Sequence, residues 1–139
     1  MARRLATVGA TLDRLGLSAQ VALGDAADPQ GDWTARPFDR ILLDVPCSNS
    51  GVWARRAEAK YRQSPPILER LAELQRNLLA DTLGRVQIGG LLIYSTCSVW
   101  PEENEQVVQS VLLSTNARAE LLSQRLALPT GQNADGTLS

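Results

Sequence analysis

The sequence contains no histidine. That excludes, within these residues, the common zinc sites, the Ser-His-Asp triad and the Cys-His dyad. Any cysteine chemistry must therefore run without a histidine base. There is also no run of the roughly 18 apolar residues that a spanning helix needs, so no membrane partner is expected. Neither charge is in excess: 14 basic and 15 acidic residues leave a net charge of -1. This argues against a polybasic nucleic-acid arm and against a disordered acidic tail. No internal repeat or low-complexity tract is visible. The opening Met1-Ala-Arg-Arg-Leu carries positive charge but is not followed by an apolar signal core, which predicts a cytoplasmic protein. Two cysteines are present without a Cys-x-x-Cys spacing, so a thiol redox protein or a hydrolase is a poor fit.

What remains is enough for one ordinary domain. A chain near this length of 139 residues, 44% of them hydrophobic, buries about 68–70% of its unfolded surface. Apolar spacing at Leu5, Val8, Leu12 and Leu15 predicts a helix over residues 2–16, stopped by Gly16. Gln20–Leu23 reads as a short strand, residues 26–37 as a loop, and Phe38–Leu43 as a buried strand of a parallel sheet. Pro65 and Pro66 open a long helix running to about Gln87, broken by Gly89-Gly90. Leu91–Tyr94 is another buried strand. Pro101 starts a helix to about Leu113, with Glu102, Glu103 and Glu105 where the helix dipole favours acids. Ala119–Leu122 reads as a last strand. The predicted domain spans residues 1–128, with a loose tail over 129–139. Strands alternating with helices predict an α/β domain with a mostly parallel sheet, whose site lies beyond the carboxyl ends of its strands.

Two polar segments occupy that position: Asp44-Val45-Pro46-Cys47-Ser48-Asn49-Ser50-Gly51 and Ser95-Thr96-Cys97-Ser98. A lone cysteine is most often a small buried hydrophobe. Flanked by Ser, Asn and Thr at strand ends, these two fit that role badly. A thiol suits covalent catalysis on a poor carbon nucleophile such as C5 of cytosine. Addition of a thiolate at C6 makes the ring enamine-like and able to accept a methyl group.

The two segments resemble the signature motifs of the Sun-type (NOL/NOP/Sun) RNA cytosine C5 methyltransferases, with Asp-x-Pro-Cys-Ser after one strand and Thr-Cys-Ser after the next. The likeness extends through Phe38-Asp39-Arg40-Ile41-Leu42-Leu43-Asp44, Gly51-Val52, Arg55-Arg56, Lys60 and Ser98-Val99-Trp100-Pro101-Glu102-Glu103-Asn104, and covers roughly residues 10–115. It departs from the family at Ala57, Glu58 and Tyr61, where the family has proline, aspartate and tryptophan. The resemblance implies S-adenosyl-L-methionine as cofactor and an RNA partner, ribosomal or transfer RNA. It implies Cys97 as nucleophile, Cys47 as the cysteine assisting product release, and Asp44 as a carboxylate near cofactor and base. Pro46 and Asp25 are implied at the cofactor, with Asp25 at its adenine end. Outside the resemblance, Asp25 in Gly24-Asp25-Ala26 is a plain turn residue. Arg55, Arg56, Lys60 and Arg62 form a basic cluster that reads either as a solvated surface run or as phosphate contacts. Trp53 and Trp100 read as packing residues that are also able to stack on bases.

The family's glycine-rich cofactor loop is not found in the sequence. The expectation is therefore a partial Rossmann-like fold of the S-adenosylmethionine-dependent class, lacking the first two strands and beginning at the helix after the second. Such a chain is expected to be weak or inactive alone and to have an open sheet edge, covered by repacking or by a homodimer. The competing reading is a non-catalytic RNA- or protein-binding module built on the same scaffold.

Overall fold

A computed structural model describes residues 2–29, 31, 36–56, 58, 61, 64–115 and 119–124, with nothing said of the side chains of residues 2–4. The chain forms two compact units, Met1–Ala35 and Arg36–Ser139. In the first, helix α1 spans Ala2–Leu15, where the apolar spacing predicts it. Leu5 and Leu12 are half-buried and Val8 and Leu15 exposed. Residues 20–23 are not a strand. A strand exists only where another backbone pairs with it, and among the described residues none does; Val21 and Leu23 stay exposed.

The second unit is a βαβ unit with a further helix. Strand β1 (Phe38–Asp44) leads through a polar loop to helix α2 (Pro65–Leu83), strand β2 (Val86–Ser95) and helix α3 (Glu105–Ser114). Short 3-10 turns at Ser50–Val52 and Pro101–Glu103 follow the two strands. The strands pair in parallel, with Ile41 beside Leu92, Leu43 beside Tyr94 and Asp44 beside Ser95. Parallel neighbours require such a crossover.

Pro65 and Pro66 occupy the first helical positions, as predicted. The helix ends at Gly84 and does not reach Gln87, because the Arg85 carbonyl already accepts from Phe38 N–H at 2.8 Å and belongs to the sheet. Gly89-Gly90 therefore does not break a helix. It lies inside β2, where the register slips between Phe38 and Arg40. Gly89 sits at φ +78°, and a Cβ on Gly90 would lie 2.8 Å from the Asp39 carbonyl oxygen, so this bulge needs glycine. Residues 119–122 are irregular, and the predicted tail over 129–139 lies outside the described residues.

Helices α2 and α3 cover one face of the sheet. Ala72, Leu79, Val107 and Val111 form the buried cluster, with Leu43, Leu83, Leu92 and Tyr94 packed against it. The opposite face is open: Leu42 is 69% exposed and Ile93, its pairing partner, 52%. The strands are thus buried on one face only, not on both as the unbroken apolar runs predict. Among the described residues the sheet has two strands, which leaves the far edge of β1 unpaired.

Candidate active site

Both cysteine loops leave the carboxyl end of the sheet side by side. Val45 N–H donates to the Ser95 carbonyl at 3.1 Å, and Gly51 N–H to the Cys97 carbonyl at 3.0 Å. The loops run so close at the second bond that a Cβ on residue 51 would stand 2.9 Å from the Cys97 oxygen. Glycine is required there by packing, since real Cβ contacts do not reach that distance. Asn49 turns the chain at φ 60°, a conformation asparagine tolerates better than most residues.

The side chains that seal the loops are polar and buried. Ser48 Oγ and Ser50 Oγ lie 3.2 and 2.9 Å from Ser98 Oγ, and Val99 N–H donates to Ser50 Oγ at 2.9 Å. Beneath them sits Glu103, with no exposed surface. Its Oε1 accepts from Ser48 N–H at 2.8 Å and from Gln75 Nε2 at 3.0 Å, and its Oε2 accepts from Ser98 Oγ at 2.6 Å. Gln75, equally buried, also donates to the Pro46 carbonyl at 2.8 Å. Its own Oε1 has no partner among the described residues. Burying these groups is tolerable only because donors and acceptors meet.

The result is a close thiol pair. Cys47 Sγ and Cys97 Sγ are 3.0 Å apart, and both cysteines are free. Cys97 S–H donates to Asn49 Oδ1 at 3.1 Å, which leaves Cys47 as the donor between the sulfurs. Electrostatics agree with that direction. Burial, and then the contact with Cys97, push the Cys47 thiol from 9.0 up to about 11, so it keeps its proton at neutral pH. Cys97 is the more exposed of the two. Tyr94, raised above its ordinary range by burial first and by the Glu103 charge second, stays a phenol and donates to the Glu103 carbonyl at 2.8 Å.

Asp44 and Pro46 lie on the same rim. Asp44 is exposed, and its Oδ1 accepts from Ser95 Oγ at 2.9 Å; Pro46 is exposed beside buried Val45. Arg55 and Arg56 are exposed just past the first loop, whereas Lys60 and Arg62 lie outside the described residues. Trp53 and Trp100 pack edge to face, ring centres 6.1 Å apart. Asp25 belongs to the other unit, where its Oδ1 accepts from Ala27 N–H at 2.9 Å in an Asx turn. A surface depression there is lined by Leu23, Gly24, Asp25 and Ala26. Among the described residues there is no cluster of potential metal ligands and no helix long and apolar enough to cross a membrane.

The sequence reading missed Glu103 and Gln75. Glu103 passed for a helix-dipole residue. Gln75 had a visible signal: it falls at the helical spacing of Leu68, Leu71, Leu78 and Leu79, a polar residue on an otherwise apolar stripe.

Comparison with known proteins agrees with this geometry. The sequence profile described as 16S rRNA methyltransferase RsmB/F matches residues 1–137. Ribosomal RNA small subunit methyltransferase B of Shewanella oneidensis is 42% identical over 125 residues, covering 89% of this chain and 29% of that protein. The Vibrio vulnificus protein of the same name is 37% identical, covering 96% and 33%. The chain thus spans about a third of the length of these relatives. A crystal structure of a methyltransferase homologue from Pyrococcus horikoshii superposes with a TM-score of 0.66 at 30% identity, over 95% of this chain and 38% of that one. The parallel βαβ unit is accordingly part of a Rossmann-like methyltransferase fold, and the chain belongs to the 16S rRNA methyltransferase RsmB/F family.

Proposed function

We propose that this chain carries the base chemistry of an RNA cytosine C5 methyltransferase acting on ribosomal RNA. The observation that carries the reading is the thiol pair at 3.0 Å, one cysteine exposed and the other a half-buried thiol able to donate to it. In this scheme Cys97 adds to C6 of the target cytosine. Cys97 gives its S–H proton to water and the C6–S bond forms as ring electrons move toward C5 and N3; Asp44 accepts a hydrogen bond from the exocyclic amine and relays a proton from water to the ring nitrogen. S-adenosyl-L-methionine, when bound, supplies the electrophilic methyl group. Water then takes the C5 proton, the C5–H electrons form the C5–C6 double bond as the C6–S bond breaks and its electrons return to Cys97, and the ring nitrogen gives its proton back. The Cys47 thiol donates to the departing sulfur and so favours release. Such a donor, fixed before charge develops, is the usual source of electrostatic rate enhancement.

The residues fit the cofactor in part. Asp44 has an exposed carboxylate whose second oxygen takes no donor among the described residues, next to Pro46; these are the residues of this unit that we assign to it. Arg55 and Arg56, with Lys60 and Arg62, are assigned to RNA phosphates, whose contacts position a nucleic acid without reading its sequence. The two strands present among the described residues are a small part of such a fold, and methyl transfer by this chain alone is expected to be weak.

The test is incubation with S-adenosyl-L-methionine and RNA carrying 5-fluorocytosine. Fluorine at C5 prevents the elimination, so a covalent adduct at Cys97 is expected, and Cys97→Ser should abolish it. RNA binding with no adduct would favour a non-catalytic module on the same scaffold.

A further inference from the structure

The neighbours of both cysteines are tied to buried Glu103, and those of Cys97 also to half-buried Asn104. Ser48, just after Cys47, donates its N–H to Glu103, and Ser98, just after Cys97, donates its hydroxyl to the same carboxylate. Pro46, just before Cys47, is held by Gln75, which itself donates to Glu103. Thr96, just before Cys97, donates to Asn104 Oδ1 at 2.8 Å, and Asn104 Nδ2 donates to the Ser98 carbonyl at 3.1 Å. Three donors from three separate elements thus converge on one carboxylate with no exposed surface. A buried carboxylate is a poor way to gain stability, since a well-packed apolar residue often serves as well. Its two oxygens do something an apolar side chain does not: they fix the loops relative to each other. Groups that act together need such support to within a fraction of an ångström.

We infer that Glu103 is a positioning residue that, braced by Gln75, sets the spacing of the two thiols. The inference rests on the reading of Cys97 and Cys47 as the working pair. Glu103 touches neither sulfur and acts through Ser48 and Ser98.

Thiol spacing is read directly by oxidation with diamide. Both S–H bonds break, one S–S bond forms, and diamide takes up the two hydrogens as a hydrazine. The rate of disulfide formation is divided by the rate at which iodoacetamide labels Cys97, which removes differences in accessibility. Glu103→Leu fills the space without offering an acceptor, and it should lower this ratio by roughly tenfold to a hundredfold, the usual cost of misplacing reacting groups. Glu103→Gln should stay close to wild type. Its amide oxygen still accepts from Ser48 and Gln75, and its amide nitrogen donates to Ser98 Oγ. Leu79→Ala, a core change away from the loops, should lower stability and leave the ratio unchanged. An unchanged ratio in Glu103→Leu, or an equal fall in Leu79→Ala, would overturn the inference. If Glu103→Leu does not fold, Gln75→Met decides: it keeps the volume and loses the ties to Pro46 and Glu103, and an unchanged ratio there would likewise overturn the inference. The readout involves neither RNA nor methyl transfer, so its failure is distinct from failure of the proposed activity.

Discussion

The two faces of the β1–β2 sheet come from neighbouring residues yet behave as different materials. On one, Leu43, Leu92 and Tyr94 lie under α2 and α3 and lead into a sealed polar network around Glu103. On the other, Leu42 and Ile93 are exposed. The contrast shows where rigidity is placed. One face is packed, and Gln75 and Glu103, which tie the cysteine loops, stand with the elements packed on that side.

This difference can be broken from either side. Leu79→Ala on the packed face should cost about 2–5 kcal/mol, the range for emptying a buried leucine site, read by denaturant unfolding. Gly51→Ala should cost about 1–3 kcal/mol through overpacking against the Cys97 carbonyl and should also suppress adduct formation, because the loops must separate to admit the methyl group. A smaller effect comes from pH. The folded chain keeps the Cys47 proton up to about pH 11, whereas the unfolded chain gives it up near 9.0. The stability this confers is present below pH 9.0 and falls as the pH rises toward 11. Tyr94, also raised, adds to the fall above its ordinary 10.0. Melting curves across that window should show the decline, and Cys47→Ser should remove the part beginning near 9.0. The smallest effect is expected on the outer face: Leu42→Lys should change stability by no more than about 0.5 kcal/mol. Light scattering on the same pair of proteins tests the expected pairing along the open edge of β1. Self-association that Leu42→Lys weakens would support it, and a monomeric parent chain would remove it.

Much of this was legible in the sequence because local rules and tertiary context agree. The Ile41-Leu42-Leu43 run, the Pro65-Pro66 start and the α1 spacing each produced the expected element. The cysteine motifs sit at strand ends, where an α/β site belongs. Other features were hidden because they depend on partners distant in sequence. Residues 20–23 have strand-like composition and no strand to pair with among the described residues. Gly89-Gly90 reads as punctuation, yet its role as a bulge follows from how β2 lies against Asp39. Glu103 looks like one acid among three in Glu102-Glu103-Glu105, and only the fold brings Ser48 and Gln75 to it. The raised Cys47 follows from burial and from Cys97, fifty residues away in the chain.

The division of labour between the two thiols has a direct measurement. Wild type, Cys47→Ser and Cys97→Ser are each incubated with S-adenosyl-L-methionine and unmodified cytosine-containing ribosomal RNA, and the SDS-resistant protein–RNA adduct is quantified. If Cys97 attacks and Cys47 promotes release, adduct accumulates in Cys47→Ser, is scarce in wild type and is absent in Cys97→Ser. Adduct that persists in Cys97→Ser, or that is no more abundant in Cys47→Ser than in wild type, would contradict the assignment.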